Sequence, residues 1–93
     1  MGQLYDSIRT AVEEERYLVG VHAEERCEER GVAVWQIVIG LTGGKLLSER
    51  PGSRPLPSVI VQETLPDGTA VEAIWSWLAV SRKAKLVTVY FRR

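Results

Sequence analysis

The chain is poor in the residues that staple or metallate a small protein. Of its 93 residues one is cysteine and one is histidine. A single thiol forms no intrachain disulfide. One thiol and one imidazole fall short of a conventional zinc site, which leaves only carboxylates for a harder cation, so no metal and no cofactor is expected. Net charge is missing as well: twelve basic and twelve acidic groups cancel, and no global field draws the molecule to a polyanion or a membrane. Long apolar runs are absent. The longest, residues 32–41, is broken by Gln36 and Gly40, and ten residues cannot cross a bilayer that needs about 20. The opening Met1-Gly2-Gln3-Leu4-Tyr5-Asp6 has neither a basic start nor a following apolar stretch, unlike a secretory signal. These absences point to a cytoplasmic protein with no membrane partner.

What is present is ordinary in amount and uneven in placement. At 45% hydrophobic and 26% charged, the composition is that of a globular domain. A chain of 10.4 kDa buries about 60–65% of its unfolded surface, enough for one thin core. Residues 1–93 therefore read as a single domain, which excludes an enzyme whose site lies between two domains. Residues 1–46 hold five basic and eight acidic groups, a balance of −3, and residues 47–93 hold seven and four, a balance of +3. Arg82, Lys83, Lys85, Arg92 and Arg93 crowd the last twelve positions with no acid among them. Of these, Arg82, Lys83, Lys85 and Arg92 form a local positive patch, a candidate contact for a polyanion such as RNA; the competing reading is a solvated turn and tail.

Leu4, Ile8, Ala11 and Val12 fall at helical spacing, with Glu13, Glu14 and Glu15 opposite, which predicts a helix over about 2–16. A second helix is expected over 22–30, ending at Gly31, and a third over 33–41, apolar nearly all round and so expected to be the most buried. After Lys45 the texture changes. A weak strand over 45–49 precedes a loop holding Pro51, Gly52, Pro55 and Pro57, and strands follow over 58–65, 69–80 and 85–92, joined by Pro66-Asp67-Gly68 and by residues 81–84. Short turns imply antiparallel neighbours, since parallel ones need long crossovers. The expected class is α+β: two to three N-terminal helices in residues 1–43, packed on one face of a three- to four-stranded antiparallel sheet in residues 44–93. In the last strand Val87, Val89 and Phe91 are expected to face one way, and Thr88, Tyr90 and Arg92 the other. Trp35, Trp75 and Trp77 are expected mostly in the core.

The most distinctive string is His22-Ala23-Glu24-Glu25-Arg26-Cys27-Glu28-Glu29-Arg30-Gly31. At 100° per residue His22, Arg26 and Arg30 share about 80° of the helix circumference. An imidazole beside two guanidiniums suits an anion: Arg grips phosphate with a two-pronged donor, and His moves a proton near neutral pH. The alternative is structural, with the arginines paired to glutamates and contributing under ~1 kcal/mol each. Cys27 reads as a small buried apolar residue. Six serines, one His and two Asp allow a triad on paper, but no serine has nucleophile-elbow glycines around it. Gly40 to Lys45 lacks the spacing of a phosphate loop.

His22-Ala23-x2-Arg26-x3-Arg30-Gly31-Val32, with a Gly-Gly turn after a short helix and a closing Leu86-Val87-Thr88-Val89-Tyr90, resembles a family of small bacterial domains of unknown function. That family looks related to BrnT-type toxins within the RelE/ParE superfamily, and the resemblance covers about residues 18–91. It implies a RelE/BrnT-like fold and a toxin of a toxin–antitoxin module: a metal-independent endoribonuclease whose open sheet face meets RNA or a ribosome and is masked by an antitoxin protein. On that reading Arg26 and Arg30 hold phosphate oxygens, His22 is the acid or base, and Thr88 and Tyr90 complete the catalytic group, with Tyr90 stacking on a base or donating a hydrogen bond. The chain departs from the pattern at Ala33, where relatives commonly carry a Ser or Thr cap. It departs also in neutral charge and in the glutamates flanking the motif, which repel RNA. Those departures sustain a second reading: a non-catalytic protein-interaction module of the same fold, a homodimer that buries Ile74, Leu78 and Tyr90. A third, an enzyme acting on a small anion, needs an enclosed pocket that so short a chain scarcely provides.

Overall fold

The computed structural model describes residues 2–91. Eight elements follow in chain order: helix α1 (Gln3–Glu13), strand β1 (Tyr17–Val19), helices α2 (Val21–Glu29) and α3 (Val34–Gly40), then strands β2 (Lys45–Arg50), β3 (Ser58–Thr64), β4 (Ala70–Leu78) and β5 (Lys83–Phe91). The class is α+β, as expected, with the helices early in the chain.

The sheet differs from expectation. It has five strands in the order β1-β5-β4-β3-β2. Its four later strands pair antiparallel, and β1 lies parallel to β5 through Tyr17, Leu18 and Val19 beside Ala84, Lys85 and Leu86. The sheet is therefore mixed, and the chain does not divide into a helical part up to residue 43 and a sheet part after it. Three residues are too few to show a period. The partner that makes them a strand lies more than sixty positions further on, a distance that turn chemistry cannot signal. One consequence is that the last strand is flanked by β4 along its length and by β1 only over Ala84 to Leu86, so β1 leaves its later residues uncovered on that side.

Local chemistry explains the ends of the elements. α2 closes with Gly31 in the left-handed region at φ 66. The Gly31 N–H donates to Glu28 and the Val32 N–H to Cys27, which satisfies carbonyls a helix end leaves orphaned. The β3–β4 hairpin turns at Gly68, φ 90, with the Thr69 N–H donating to the Asp67 carboxylate at 2.9 Å.

One core lies between the helices and one sheet face. Ile8 and Ala11 of α1, Ala23 and Cys27 of α2 and Ile37 of α3 meet Val59, Val61, Val71, Ala73, Trp75, Leu86 and Val89. α3 is not the most buried helix: only Ile37 and Val38 are buried, while Trp35 and Ile39 are 57% and 59% exposed. Trp35 thus leaves the core set, whereas Trp75 is fully buried and Trp77 packs against it. In a seven-residue helix lying on a sheet only one side has a neighbour, whatever the sequence offers on the other. Alternation in β5 is likewise interrupted. The β4–β5 register shifts between Ile74 and Trp75, so Ile74 pairs with Thr88 and Trp75 with Leu86. Val87 is the extra residue of a bulge. Leu86 and Ala84, not Val87, therefore continue the core row begun by Val89.

Candidate anion-binding site

The stretch Val19-Gly20-Val21 carries the chain from β1 into α2 along the flank of β5. The Gly20 N–H donates to the Leu86 carbonyl at 2.8 Å. A Cβ on Gly20 would sit 3.0 Å from that same oxygen and 3.3 Å from Lys85 Cε, so any side chain there would press on the Leu86 carbonyl. From there α2 runs beside the part of β5 that β1 does not cover. Ala23 and Cys27 turn inward, and Arg26 and Arg30 of the predicted stripe reach the end of β5.

This arrangement joins two of the predicted groups. The Arg26 guanidinium lies over the Tyr90 ring, 5.7 Å from its centroid, and one turn later Arg30 lies over the Phe91 ring at 5.3 Å. Tyr90 is 48% exposed. Such stacks contribute about 0.5–1 kcal/mol each at exposed sites. A guanidinium placed over a ring in this way still has N–H donors for an acceptor. Among the described residues no carboxylate forms an ion pair with Arg26 or Arg30. The flanking glutamates of α2 are exposed, so they are near in sequence without engaging the arginines.

The other predicted residues disperse. His22 is on the first turn of α2 with its side chain 82% exposed, and its Nδ1 lies 3.7 Å from Glu25 Oε1. Among the described residues no hydrogen bond or ion pair ties it to Thr88 or Tyr90. Thr88 is half-buried on the sheet face away from the helices, opposite Ile74. Lys83 and Lys85 share that face at the far end of β5, paired with Leu78 and Ser76. Arg82 belongs elsewhere: its backbone is left-handed at φ 55, its carbonyl accepts from the Arg16 guanidinium, and it borders a cleft beside α1. Arg92 lies outside the described residues. Cys27 is buried as expected, and burial, with the Glu63 carboxyl adding to it, pushes its thiol up.

Two features escaped the sequence. One is Glu63, fully buried, which accepts a hydrogen bond from the Trp75 indole at 3.3 Å through one oxygen and among the described residues has no partner on the other. Burial pushes its carboxyl up to about 8. A carboxylate at an alternating position of a β-strand carries no mark of being inward-facing. The other is a groove on the open sheet face, bordered by Arg50, Arg54 and Lys85. Its basic residues come from positions up to thirty-five apart, and only strand register brings them together.

A search of protein families matches residues 20–91 to a model described as a domain of unknown function, DUF4258. No curated protein and no solved structure matches the chain.

Proposed function

The chain belongs to the DUF4258 family, and from that premise we propose that it is a toxin-like RNA-binding protein, related to BrnT-type members of the RelE/ParE superfamily and held in check by an antitoxin protein. The observation that carries this reading is the Arg26–Tyr90 stack at 5.7 Å, exposed and without a carboxylate partner among the described residues. A guanidinium with a free edge holds a phosphate oxygen, and the aromatic ring beneath it offers a surface for an unstacked base. Arg30 extends the cationic line by one turn. His22, one turn before Arg26, supplies the imidazole that a ribonuclease step requires. In such a step the 2′-hydroxyl gives its proton to a base and attacks the adjacent phosphorus, and the 5′-oxygen leaves with a proton from an acid. The exposure of His22, with no hydrogen bond or ion pair to Thr88 or Tyr90 among the described residues, fits binding better than efficient cleavage.

Induced expression in a bacterial host tests this reading. The wild-type chain is expected to slow growth, and Arg26→Ala and Tyr90→Ala to relieve the arrest. With purified protein and a short single-stranded RNA, Arg26→Ala should weaken binding about tenfold and Tyr90→Ala by a comparable factor, from loss of a stacking contact of about 1–3 kcal/mol. A harmless wild type that leaves RNA intact and unbound would reject the proposal.

A second reading has its own observation. Trp35 and Ile39 lie four apart on α3 and are both more than half exposed, an apolar pair suited to a protein interface. A homodimer formed there, and not through Ile74, Leu78 and Tyr90, would lose its dimer mass in light scattering on Trp35→Ser.

A further inference from the structure

The open sheet face carries a second cationic feature, remote from α2. Register places Arg50 of β2 opposite Ser58 of β3, Ser58 opposite Ser76 of β4, and Ser76 opposite Lys85 of β5. Cross-strand partners point to the same face, so Arg-Ser-Ser-Lys is one row across four strands. Neighbouring strands are about 4.8 Å apart, which separates the two cationic ends by roughly 14 Å at the backbone. Long side chains close most of that gap above two small hydroxyl residues. The loop after β2 folds over the row and adds Arg54, enclosing a cavity of about 290 Å³ whose floor includes Ile74 and Val87.

The charge of this cavity is one-sided. Arg50, Arg54 and Lys85 border it and no acidic residue does. Among the described residues none of the three forms an ion pair with a carboxylate. The Arg50 guanidinium donates to the Ser48 hydroxyl at 3.4 Å. The nearest acid in sequence, Glu49, is turned to the opposite side, where it accepts the Tyr5 N–H at 2.8 Å. Three cations held together without counter-charge repel one another, and an anion relieves that repulsion. The β5 bulge contributes as well, since it turns Val87 to the open face as part of the floor.

We propose that this groove is a phosphate subsite that holds a backbone phosphate of the same single-stranded RNA that reaches Arg26 and Tyr90. The inference rests on the function proposed above and adds the path of the strand. Lys85 links the two places: it borders the groove, and its Cε lies beside Gly20, where α2 begins. Along β4, from Ser76 to the Tyr90 partner Glu72, four residues span about 13 Å, a distance that a few nucleotides bridge. Between them Ile74 and Thr88 offer an apolar and a hydroxyl surface to the ribose and bases.

The test is a titration of isotope-labelled protein, followed by backbone amide shifts, with two probes: a short single-stranded RNA and inorganic phosphate. RNA should move the amides of Ser58, Ser76 and Lys85 together with that of Tyr90. Arg54→Gln and Lys85→Gln should each weaken RNA binding about five- to tenfold and lower the log–log salt slope by about 0.7 per lost contact. Circular dichroism checks that both variants fold, and Arg54→Glu in the exposed loop provides a charge reversal. If RNA moves Tyr90 while the groove amides stay still, the subsite is overturned and the RNA-binding reading stands. If RNA moves neither region while inorganic phosphate moves the groove, the RNA assignment of both sites falls.

Discussion

Glu63 has an indole on one carboxyl oxygen and, among the described residues, no partner on the other. Gly40 of α3 closes the space around it: a Cβ there would lie 2.8 Å from the unpartnered Oε1. In so dry a place the charged form is the costly one. The folded chain therefore holds a proton on this group up to about 8, where an unfolded chain gives it up near 4.5. The folded state binds more protons between those values, so this contribution to stability is complete below about 4.5 and is lost as pH rises through about 8. The loss is on the order of a few kcal/mol. Urea midpoints of the wild type should fall between mildly acidic and mildly alkaline pH by more than those of Glu63→Gln, which keeps the shape and cannot ionise. Equal pH slopes for the two proteins would show that Glu63 is not held neutral. Gly40→Ala should destabilise by about 1–3 kcal/mol in the same assay, since a methyl group there displaces the carboxyl or the helix.

At the scale of elements, the junction of β1 with α2 decides where the motif arginines go. Gly20 pins that junction to the carbonyl of Leu86, and Ala in its place brings a Cβ against backbone that cannot give. Gly20→Ala is expected to lower the melting temperature by several degrees and, by shifting α2 along β5, to weaken the proposed RNA binding with Arg26 itself untouched. Unchanged melting would mean that the contact is looser than the geometry implies. The helix was legible in the sequence because its spacing, its glycine stop and its small inward residues all agree. Its neighbour was not. Helical periodicity orders residues around an axis and says nothing about which strand that axis lies beside. For the same reason Arg26 and Tyr90 could be nominated separately, while the stack between them awaited the fold. The bulge at Val87 is a second case: alternation predicts faces only while the register holds, and the shift lies in the pairing of two strands, not in either one.

For the molecule as a whole, the family match begins at residue 20, yet α1 and β1 precede it and complete the core. Tyr5, Ile8, Ala11 and Val12 are all buried, and each large apolar side chain contributes about 1.5–3 kcal/mol on burial. Their sum rivals the total stability of a domain this small. A chain starting at Gly20 should therefore lose its cooperative thermal transition and bind hydrophobic dyes. A sharp transition in that truncation would show that the matched region folds by itself. Charge tells a similar story at this scale. A net charge of zero conceals a groove bordered by three basic residues and no acid. Half of the acids sit on α1 and α2, and Glu49 and Glu63 face away from the groove. No helix among the described residues is long and apolar enough to cross a membrane.

Composition, period and turn residues by themselves determined the α+β class, the placing of the helices early in the chain, the antiparallel hairpins of the later strands and the buried state of Cys27, and bounded the helices at two to three. These are local properties, set by the side chains of a dozen neighbours at a time. The parallel strand at residues 17–19, the exposure of Trp35, the burial of Glu63 and the row from Arg50 to Lys85 were decided by tertiary structure alone. Each depends on which distant segment lies alongside, and that choice is made by the burial free energy of the entire core, a sum that no window of sequence contains.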